Sequence, residues 1–528
     1  MPDLIGVSLK AIVLDHWTSG YVDGLDYTHG FYRVLTPAII SMAALSRGCR
    51  FDAPLETLKY CELGCGQGFS VNLLAAANPG IEFYANDFNP AHIAGARGLA
   101  RQAGLTNTHF FEHSFADFTE EKSLPEEGFD IIALHGIYSW ISAEARAQVV
   151  DFIGRRLKPG GFVYISYNTL PGWAPIMPLR RFLVDQAARV SGPITSRIDE
   201  ALKAAQSLVD VDPAYFRLNG PAASRLESMM PLSRNYLAHE YFNRDWTPFY
   251  FEDVARELSA AKLSHVGSAN LFDQIDDLAL TGPQQAFLAA ETDPVRREAL
   301  RDFVLNEQFR TDIFAKGQLP HSFRSGVGVW LNTRFALSVQ RDEVSMTVKG
   351  RGGTRELHAH IYEPVLDAFA KGPMTVRQLL AQPGISGISW EHLSLALKVL
   401  VGTRNLEPCL PEEGEEERLK ICQAFNRAVC RRAEESDALQ FLASPVTGGG
   451  IEFGRVEQLI LLAISEGQKD PAEWPRFVWS VLAPQGHRLF KDGKLLQSPE
   501  ENLAEIAARA EKFRTSKLSI CASLKIGL

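Results

Sequence analysis

Short apolar runs alternate with helical patterns through the first 170 or so residues. Leu58 to Leu63 (LKYCEL) predicts a strand that runs straight into Gly64-Cys65-Gly66-Gln67-Gly68. Phe69 to Ala77 predicts a helix, stopped by Asn78-Pro79-Gly80. Ile81 to Ala85 predicts a second strand, Asn89 to Ala103 a helix with Pro90 in its first turn, and His109 to His113 a third strand. Phe129 to His135 (FDIIALH) is apolar along most of its length, as a strand buried on both faces should be. Ala143 to Leu157 predicts a helix closed by Lys158-Pro159-Gly160-Gly161, and Phe162 to Tyr167 a fifth strand. This alternation predicts an α/β fold: a parallel, doubly wound sheet with helices on both faces.

From about Pro175 to Tyr241 the pattern is helical and has no apolar strand runs. Alternation then resumes, with a helix over Phe251 to Lys262 and a further strand over Ser264 to Leu271. Residues 175–241 therefore read as a helical insertion on the sheet edge, above the active-site end, where insertions shape a substrate site or a dimer contact. From about Asp273 the chain is mostly helical until an alternating stretch, Asn332 to Val348, that predicts a hairpin turning near Arg341-Asp342. Pro364 to Ala370, Thr375 to Leu380 and Trp390 to Val401 follow as three short helices, ending at Leu406-Glu407-Pro408. That order predicts a winged-helix-like module. The remaining chain, Ala424 to Leu528, is mostly helical with a loop at Thr447-Gly448-Gly449-Gly450.

Composition narrows the function classes. At 528 residues the chain has room for about three domains. The boundaries expected are 1–272 for the core, 273–355 for a middle region and 356–528 for the C-terminal modules. Lys+Arg 54 against Asp+Glu 63 leaves a net charge of −9, and neutralising phosphates needs a basic face, so nucleic acid is not the expected partner. The last helix of the winged-helix-like module (EHLSLALKVL) offers Lys398 and little other positive charge, beside the acidic run Glu412-Glu413-Gly414-Glu415-Glu416-Glu417. A protein contact or regulatory role fits it better than DNA reading. No apolar run approaches the roughly 20 residues of a membrane span, and no secretory signal is visible, so a cytoplasmic location is expected. Seven cysteines without a CxxC pair suit reduced thiols. Cys422 and Cys430, eight apart, suit a packed helix face, and His358 and His360 would share one face of a strand. Neither pair has the partners of a metal site.

The chemistry concentrates on Glu62-Leu63-Gly64-Cys65-Gly66-Gln67-Gly68. Alternate glycines let a backbone pass close to a ligand at the strand's carboxyl end. The third glycine comes one residue early for a dinucleotide fingerprint, and no Gly-Lys-Ser/Thr follows for a P-loop. Asp87 ends the second strand nineteen residues after Gly68, near the offset at which an acid meets ribose hydroxyls. The spacing resembles the first motif of class I S-adenosylmethionine methyltransferases, E/D-x-G-x-G-x-G, and Lys158-Pro159-Gly160-Gly161-Phe162 resembles their turn into the fifth strand. The resemblance implies S-adenosylmethionine as cofactor. It implies a site of Glu62, Gly64, Cys65, Gly66 and Gly68 around the methionine part, of Asp87 at the ribose, and of Phe88 as a further cofactor-binding residue. Phe115 and Asp117, in Ser114-Phe115-Ala116-Asp117-Phe118, would flank the adenine.

Less generic strings narrow the resemblance. Tyr27-Thr28-His29-Gly30-Phe31-Tyr32, His135-Gly136-Ile137-Tyr138-Ser139-Trp140 and Tyr167-Asn168-Thr169-Leu170-Pro171-Gly172-Trp173 are three of them. His239-Glu240-Tyr241-Phe242-Asn243 and Leu305-Asn306-Glu307-Gln308-Phe309-Arg310 come later. Together they resemble the class I methyltransferases that carry a methyltransferase regulatory domain, a group that includes rickettsial lysine methyltransferases acting on outer-membrane proteins. The resemblance implies a homodimer made through the middle region and a protein lysine as methyl acceptor.

Methyl transfer from a sulfonium is an in-line displacement, so catalysis is largely the positioning of a nucleophile, and a lysine amine must first lose a proton. Ligands sit beyond the carboxyl ends of parallel strands. There His135 is expected in the cofactor wall, with Tyr138 and Trp140 in the acceptor channel, where aromatic faces hold a cationic amine. Asn168 faces the same crevice. Glu240, with His239, is the leading acceptor-side acid or base, and Tyr27 and Tyr32 are candidates for a lid over the cofactor. Ordinary packing, turn chemistry and a helix-end ion pair are the competing readings of these residues. Methylation of a small molecule or glycan, and a non-catalytic cofactor-binding assembly protein, are the competing readings of the chain.

Overall fold

The computed structural model describes residues 29–54 and 57–528. Seven strands make one sheet in the order β3-β2-β1-β4-β5-β7-β6. They are β1 (Lys59–Leu63), β2 (Glu82–Asp87), β3 (Thr108–Glu112), β4 (Phe129–Leu134), β5 (Leu157–Asn168), β6 (Leu263–Ser268) and β7 (Phe309–Lys316). β1 to β5 pair in parallel, and every residue of β4 is buried. Strand order reverses beside β1, whose neighbours are β2 and β4, which opens a crevice at the strands' carboxyl ends.

Two features depart from the sequence expectation. β7 pairs antiparallel with both β5 and β6, so the sheet is not wholly parallel. β7 also lies past the boundary expected at 272, so the core reaches at least to Lys316. Its sequence, FRTDIFAK, hides a buried strand because Arg310 and Asp312 occupy buried positions as an ion pair.

One face of the sheet packs on α1 (Pro37–Ser46), α2 (Phe69–Ala77) and α3 (Pro90–Ala103) in a single large apolar cluster. The short helix α4 (Phe115–Thr119) follows β3, and α5 (Ala143–Arg156) covers the opposite face. Residues 175–246 form a separate compact unit, close to the insertion expected at 175–241. It holds α6 (Met177–Ala188), α7 (Ile194–Val209), α8 (Ala214–Leu218), α9 (Gly220–Met229) and α10 (Arg234–Tyr241). Its two ends are tied together: Arg180 donates to the Asn243 carbonyl at 2.6 Å and lies 4.5 Å over the Trp246 ring.

After the insertion, α11 (Phe251–Ser259) joins the cluster that holds α5. Beyond β6 come α12 (Asp276–Ala279), α13 (Gly282–Ala289) and α14 (Pro294–Leu305), and beyond β7 comes α15 (Phe323–Asn332). β8 (Arg334–Leu337), β9 (Thr347–Gly350) and β10 (Gly353–Glu356) precede α16 (Ala359–Phe369), β11 (Met374–Thr375), α17 (Val376–Leu380), α18 (Trp390–Gly402) and β12 (Leu406–Cys409). The sheet β11-β8-β12 with its three helices matches the winged-helix-like order. The hairpin expected near Arg341-Asp342 does not form. β8 takes β11 and β12 as partners, while β9 pairs with β10 across a glycine-rich turn, and Gly353, which opens β10, has φ +113°. α16 starts at Ala359, so His358 and His360 open a helix instead of sharing a strand face.

The acidic run opens α19 (Glu415–Arg432), with Glu415, Glu416 and Glu417 in the first turn, where the helix dipole favours negative charge. Both Cys422 and Cys430 are buried on α19, and Cys422 Sγ donates to the Ala76 carbonyl of α2 at 3.4 Å. Arg432 reaches Gln102 of α3 at 2.8 Å, and Phe69 stacks on Phe425 at 6.2 Å. The described residues up to 174 and those from 247 to 528 consequently form one compact unit, not the separate modules expected at 273–355 and 356–528.

Candidate active site

β1 delivers its chain into a turn that only glycine accommodates. Gly64, Gly66 and Gly68 have φ of +69°, +53° and +65°. A Cβ on Gly64 would meet Ile137 Cδ1 at 2.5 Å, and one on Gly68 would meet the Ala96 Cβ at 2.5 Å. The turn is thus clamped between the start of α2, the loop after β4 and α3. Cys65 sits within it, its backbone N–H bonded to the Asn86 carbonyl at 2.9 Å, and burial pushes its thiol well up.

Asp87, at the end of β2, braces this turn. Its Oδ2 accepts from the Gly66 N–H at 3.0 Å and its Oδ1 from the Asn89 N–H at 2.9 Å, with His92 Nδ1 at 3.2 Å. His92 escaped the sequence reading. Its place in the first turn of α3, just behind the Asn89 cap, is the one local signal for it. Phe88 follows Asp87 and is half-buried. Beyond β3, Ser114 caps α4 and donates to Asp117 Oδ2 at 2.7 Å, leaving Asp117 exposed and Phe115 half-buried beside it.

Glu62 lies in β1, two residues before the turn, and is buried. Burial pushes its carboxyl up to about 8, and its Oε2 has no hydrogen-bond partner among the described residues. An unpartnered buried acceptor beside a backbone turn of alternate glycines suits a ligand with a cationic, hydrogen-bond-donating group. Together with the acid at the end of β2, these residues fit S-adenosylmethionine.

His135 ends β4. Burial drives its imidazole down to about 3, so it is uncharged at neutral pH. Its Nδ1 lies 2.7 Å from the Tyr164 hydroxyl of β5, and the Gly136 N–H donates to Ser166 Oγ at 2.9 Å. The Tyr32 ring packs 3.7 Å from the imidazole, and Phe309 meets it edge-on at 6.2 Å. Tyr32 is therefore a neighbour of His135, whereas Tyr27 lies outside the described residues. The bracing roles of Tyr164, Ser166 and Phe309 had no spacing signal, because each depends on pairing between β4, β5 and β7.

Tyr138 is fully buried in the apolar cluster under α5 and α11, where its hydroxyl donates to Glu257 of α11. The Arg146 guanidinium lies 4.9 Å over the neighbouring Phe249 ring and 3.6 Å from Glu257. Burial and Glu257 together hold the Tyr138 phenol well above its usual range. Trp140 is buried at the end of the same short helical turn, Tyr138–Trp140. Asn168 ends β5, its backbone fixed by Ser139 Oγ at 2.8 Å and by the Phe249 N–H at 2.9 Å. His239 and Glu240 lie in α10 of the helical unit, and burial pushes the Glu240 carboxyl up to about 7.

A family described as a methyltransferase domain matches residues 55–190, and one described as a predicted methyltransferase regulatory domain matches 233–316. The second match starts before the boundary expected at 273, and covers the end of the helical unit, α11, β6 and β7. An uncharacterized protein of Synechocystis, sll1526, is 42% identical over 513 residues, covering 97% of this chain and 99% of its own. An uncharacterized Rickettsia prowazekii protein, RP789, is 28% identical over 303 residues, 56% of this chain and 53% of its own. Among solved structures, PKMT2 from Rickettsia typhi in complex with AdoHcy superposes with a TM-score of 0.67 at 18% identity, covering 92% of this chain and 98% of that one.

Proposed function

Because the chain belongs to the class I S-adenosylmethionine-dependent methyltransferases that carry a methyltransferase regulatory domain, we propose that its acceptor is a nitrogen nucleophile, a protein lysine side chain. S-adenosylmethionine is the cofactor, and when bound it supplies an activated methyl carbon. The carboxylate of Glu62 would hold its ammonium, the 64–68 turn would lie along its methionine part, and Asp87 would take its ribose hydroxyls. Phe88, Phe115 and Asp117 would border the adenine.

The observation that carries the choice of nitrogen is the protonation of the wall. His135 is driven down to about 3, while the phenol of Tyr164 beside it is driven up by burial. Both are held in forms that exchange no proton near neutral pH. Such a wall suits an acceptor whose lone pair is freed by desolvation, as an amine's is once it leaves water. A hydroxyl, far less acidic, needs a base. The similar structure of PKMT2 from Rickettsia typhi, in complex with AdoHcy, fits the same reading.

The test is incubation of the chain with methyl-labelled cofactor and lysate, followed by hydrolysis of the labelled fraction. Label recovered as methyl-lysine from protein is the expected result. Label confined to small molecules or glycans overturns the lysine assignment. Light scattering of the same preparation tests the homodimer proposed with it, for which one chain mass per particle would be the contrary result.

A further inference from the structure

A cavity of about 330 Å³ opens where β6 ends and β7 begins. Five arginines and six carboxylates line it. At its floor Arg310 of β7 donates to Asp302 Oδ1 at 2.6 Å, to Glu298 Oε2 at 3.1 Å and to Asp312 Oδ2 at 2.7 Å. One buried guanidinium therefore faces three carboxylates. Asp312 has further support, from the Tyr167 hydroxyl at 2.7 Å and His265 Nε2 at 3.2 Å. Asp302 has none. Its Oδ2 lacks a partner among the described residues, although the residue is only 2% exposed. Burial pushes its carboxyl up to about 7 despite the pull of Arg310.

A second wall residue repeats the pattern. Gln274 donates from Nε2 to the Ser268 carbonyl at 2.6 Å and to the Ala43 carbonyl at 3.2 Å, which fixes the orientation of its amide. Its Oε1 is then an acceptor only, and it too is buried without a partner among the described residues. Two other arginines of the lining are already engaged: Arg301 with Asp276 and the Asp273 carbonyl, and Arg351 with Glu307 at 2.7 Å. The buried unmet groups on this wall are thus acceptors, while Arg47 and Arg297 line it from less buried positions; a buried unmet acceptor costs on the order of 1–3 kcal/mol.

We propose that this cavity binds a hydrogen-bond-donating cation, an ammonium or a guanidinium, between Asp302 and Gln274. The cation belongs to a side chain of a bound polypeptide or to a free small amine. None of the residues assigned to methyl transfer above forms this pair, so the inference goes beyond that reading. Phe309 lines the cavity and also meets His135, so an occupant here adjoins the methyl-transfer crevice.

Calorimetry on the full chain loaded with S-adenosylhomocysteine tests the proposal. The probes are arginine methyl ester and citrulline methyl ester, each acetylated on its α-amine so that only the arginine side chain carries charge, and a capped Gly-Arg-Gly peptide. Arginine methyl ester or the capped peptide is expected to bind at least about tenfold more tightly than the citrulline ester, the scale of a charged hydrogen bond. Binding of the capped peptide identifies a polypeptide side chain as the source, and binding of the ester alone identifies a free amine. Asp302→Asn should weaken binding about tenfold while S-adenosylhomocysteine affinity stays unchanged. If Asp302→Asn does not fold, Gln274→Met, which leaves the ion-pair cluster intact, should weaken binding at least about threefold. Equal binding of arginine and citrulline esters, no binding of any cation, or full affinity in the folded variants would overturn the proposal.

Discussion

The carboxylate of Asp87 accepts a 3.0 Å hydrogen bond from the backbone N–H of Gly66, so the acid that ends β2 and the glycine turn that ends β1 are one assembly. Asp87 also accepts from Asn89 and neighbours His92, which leaves part of its acceptor capacity for hydroxyl donors. Asp87→Ala should therefore both loosen the turn and remove the ribose contact. Calorimetry with S-adenosylhomocysteine is expected to show a loss of about 100-fold or more, the sum of two charged hydrogen bonds. Asp87→Asn, which keeps one acceptor oxygen, should lose about tenfold. Wild-type affinity in Asp87→Ala would leave the acid with a bracing role only.

Gly64 makes a sharper steric test. Its φ is +69°, and a Cβ there would stand 2.5 Å from Ile137 Cδ1, so Gly64→Ala meets both backbone strain and a clash. Thermal unfolding should show a loss of about 2–4 kcal/mol, combining strain with overpacking. Gly160, at φ +81° with open space around its Cβ position, carries the strain without the clash. Gly160→Ala should cost about 1 kcal/mol, and Ile137→Ala should recover part of the Gly64→Ala loss.

Much of this architecture is legible in the chain because local and global signals agree. The strand before Gly64, the acid at Asp87 and the buried run at β4 are all short-range patterns, and each lands where its spacing predicts. The helical stretch of the insertion also shows in the chain, since a helical pattern interrupts strands. What escapes is whatever depends on distant pairing. β7 reads as polar because its buried face carries Arg310 and Asp312, whose charges are tolerable only once Glu298, Asp302 and His265 arrive from elsewhere. Tyr138 reads as a crevice aromatic, yet its hydroxyl meets Glu257, 119 residues away. No spacing rule reports that contact.

The Arg310 cluster should be sensitive to loss of its single guanidinium. Arg310→Met would leave Glu298, Asp302 and Asp312 buried without their shared partner. Breaking a buried pair in this way costs about 3–5 kcal/mol, to be read from urea unfolding. Adding Asp302→Asn to Arg310→Met removes one stranded charge and should restore part of that stability. A double variant as unstable as the single one would mean that packing against Phe251, 4.3 Å from the guanidinium, is what Arg310 contributes.

The pH dependence of stability separates the two buried groups of the methyl-donor site, because their shifts have opposite signs. His135 falls from 6.5 to about 3, so between those values the unfolded chain binds a proton that the folded chain refuses. Stability then rises with pH across that window. Glu62 rises from 4.5 to about 8, so the folded chain keeps a proton the unfolded chain has lost. Its contribution is full below 4.5 and is lost as pH rises through about 8. Urea unfolding of the cofactor-free chain across this range should show His135→Gln losing the acid-side slope and Glu62→Gln losing the alkaline-side slope. The same carboxyl makes a linked prediction for binding. If Glu62 ionises to meet an ammonium, S-adenosylhomocysteine binding near pH 7 releases a proton, and the measured enthalpy varies with the ionisation enthalpy of the buffer. Glu62→Gln should abolish that variation while the His135→Gln variant keeps it. A buffer-independent enthalpy in the unaltered chain would remove Glu62 from the ammonium site.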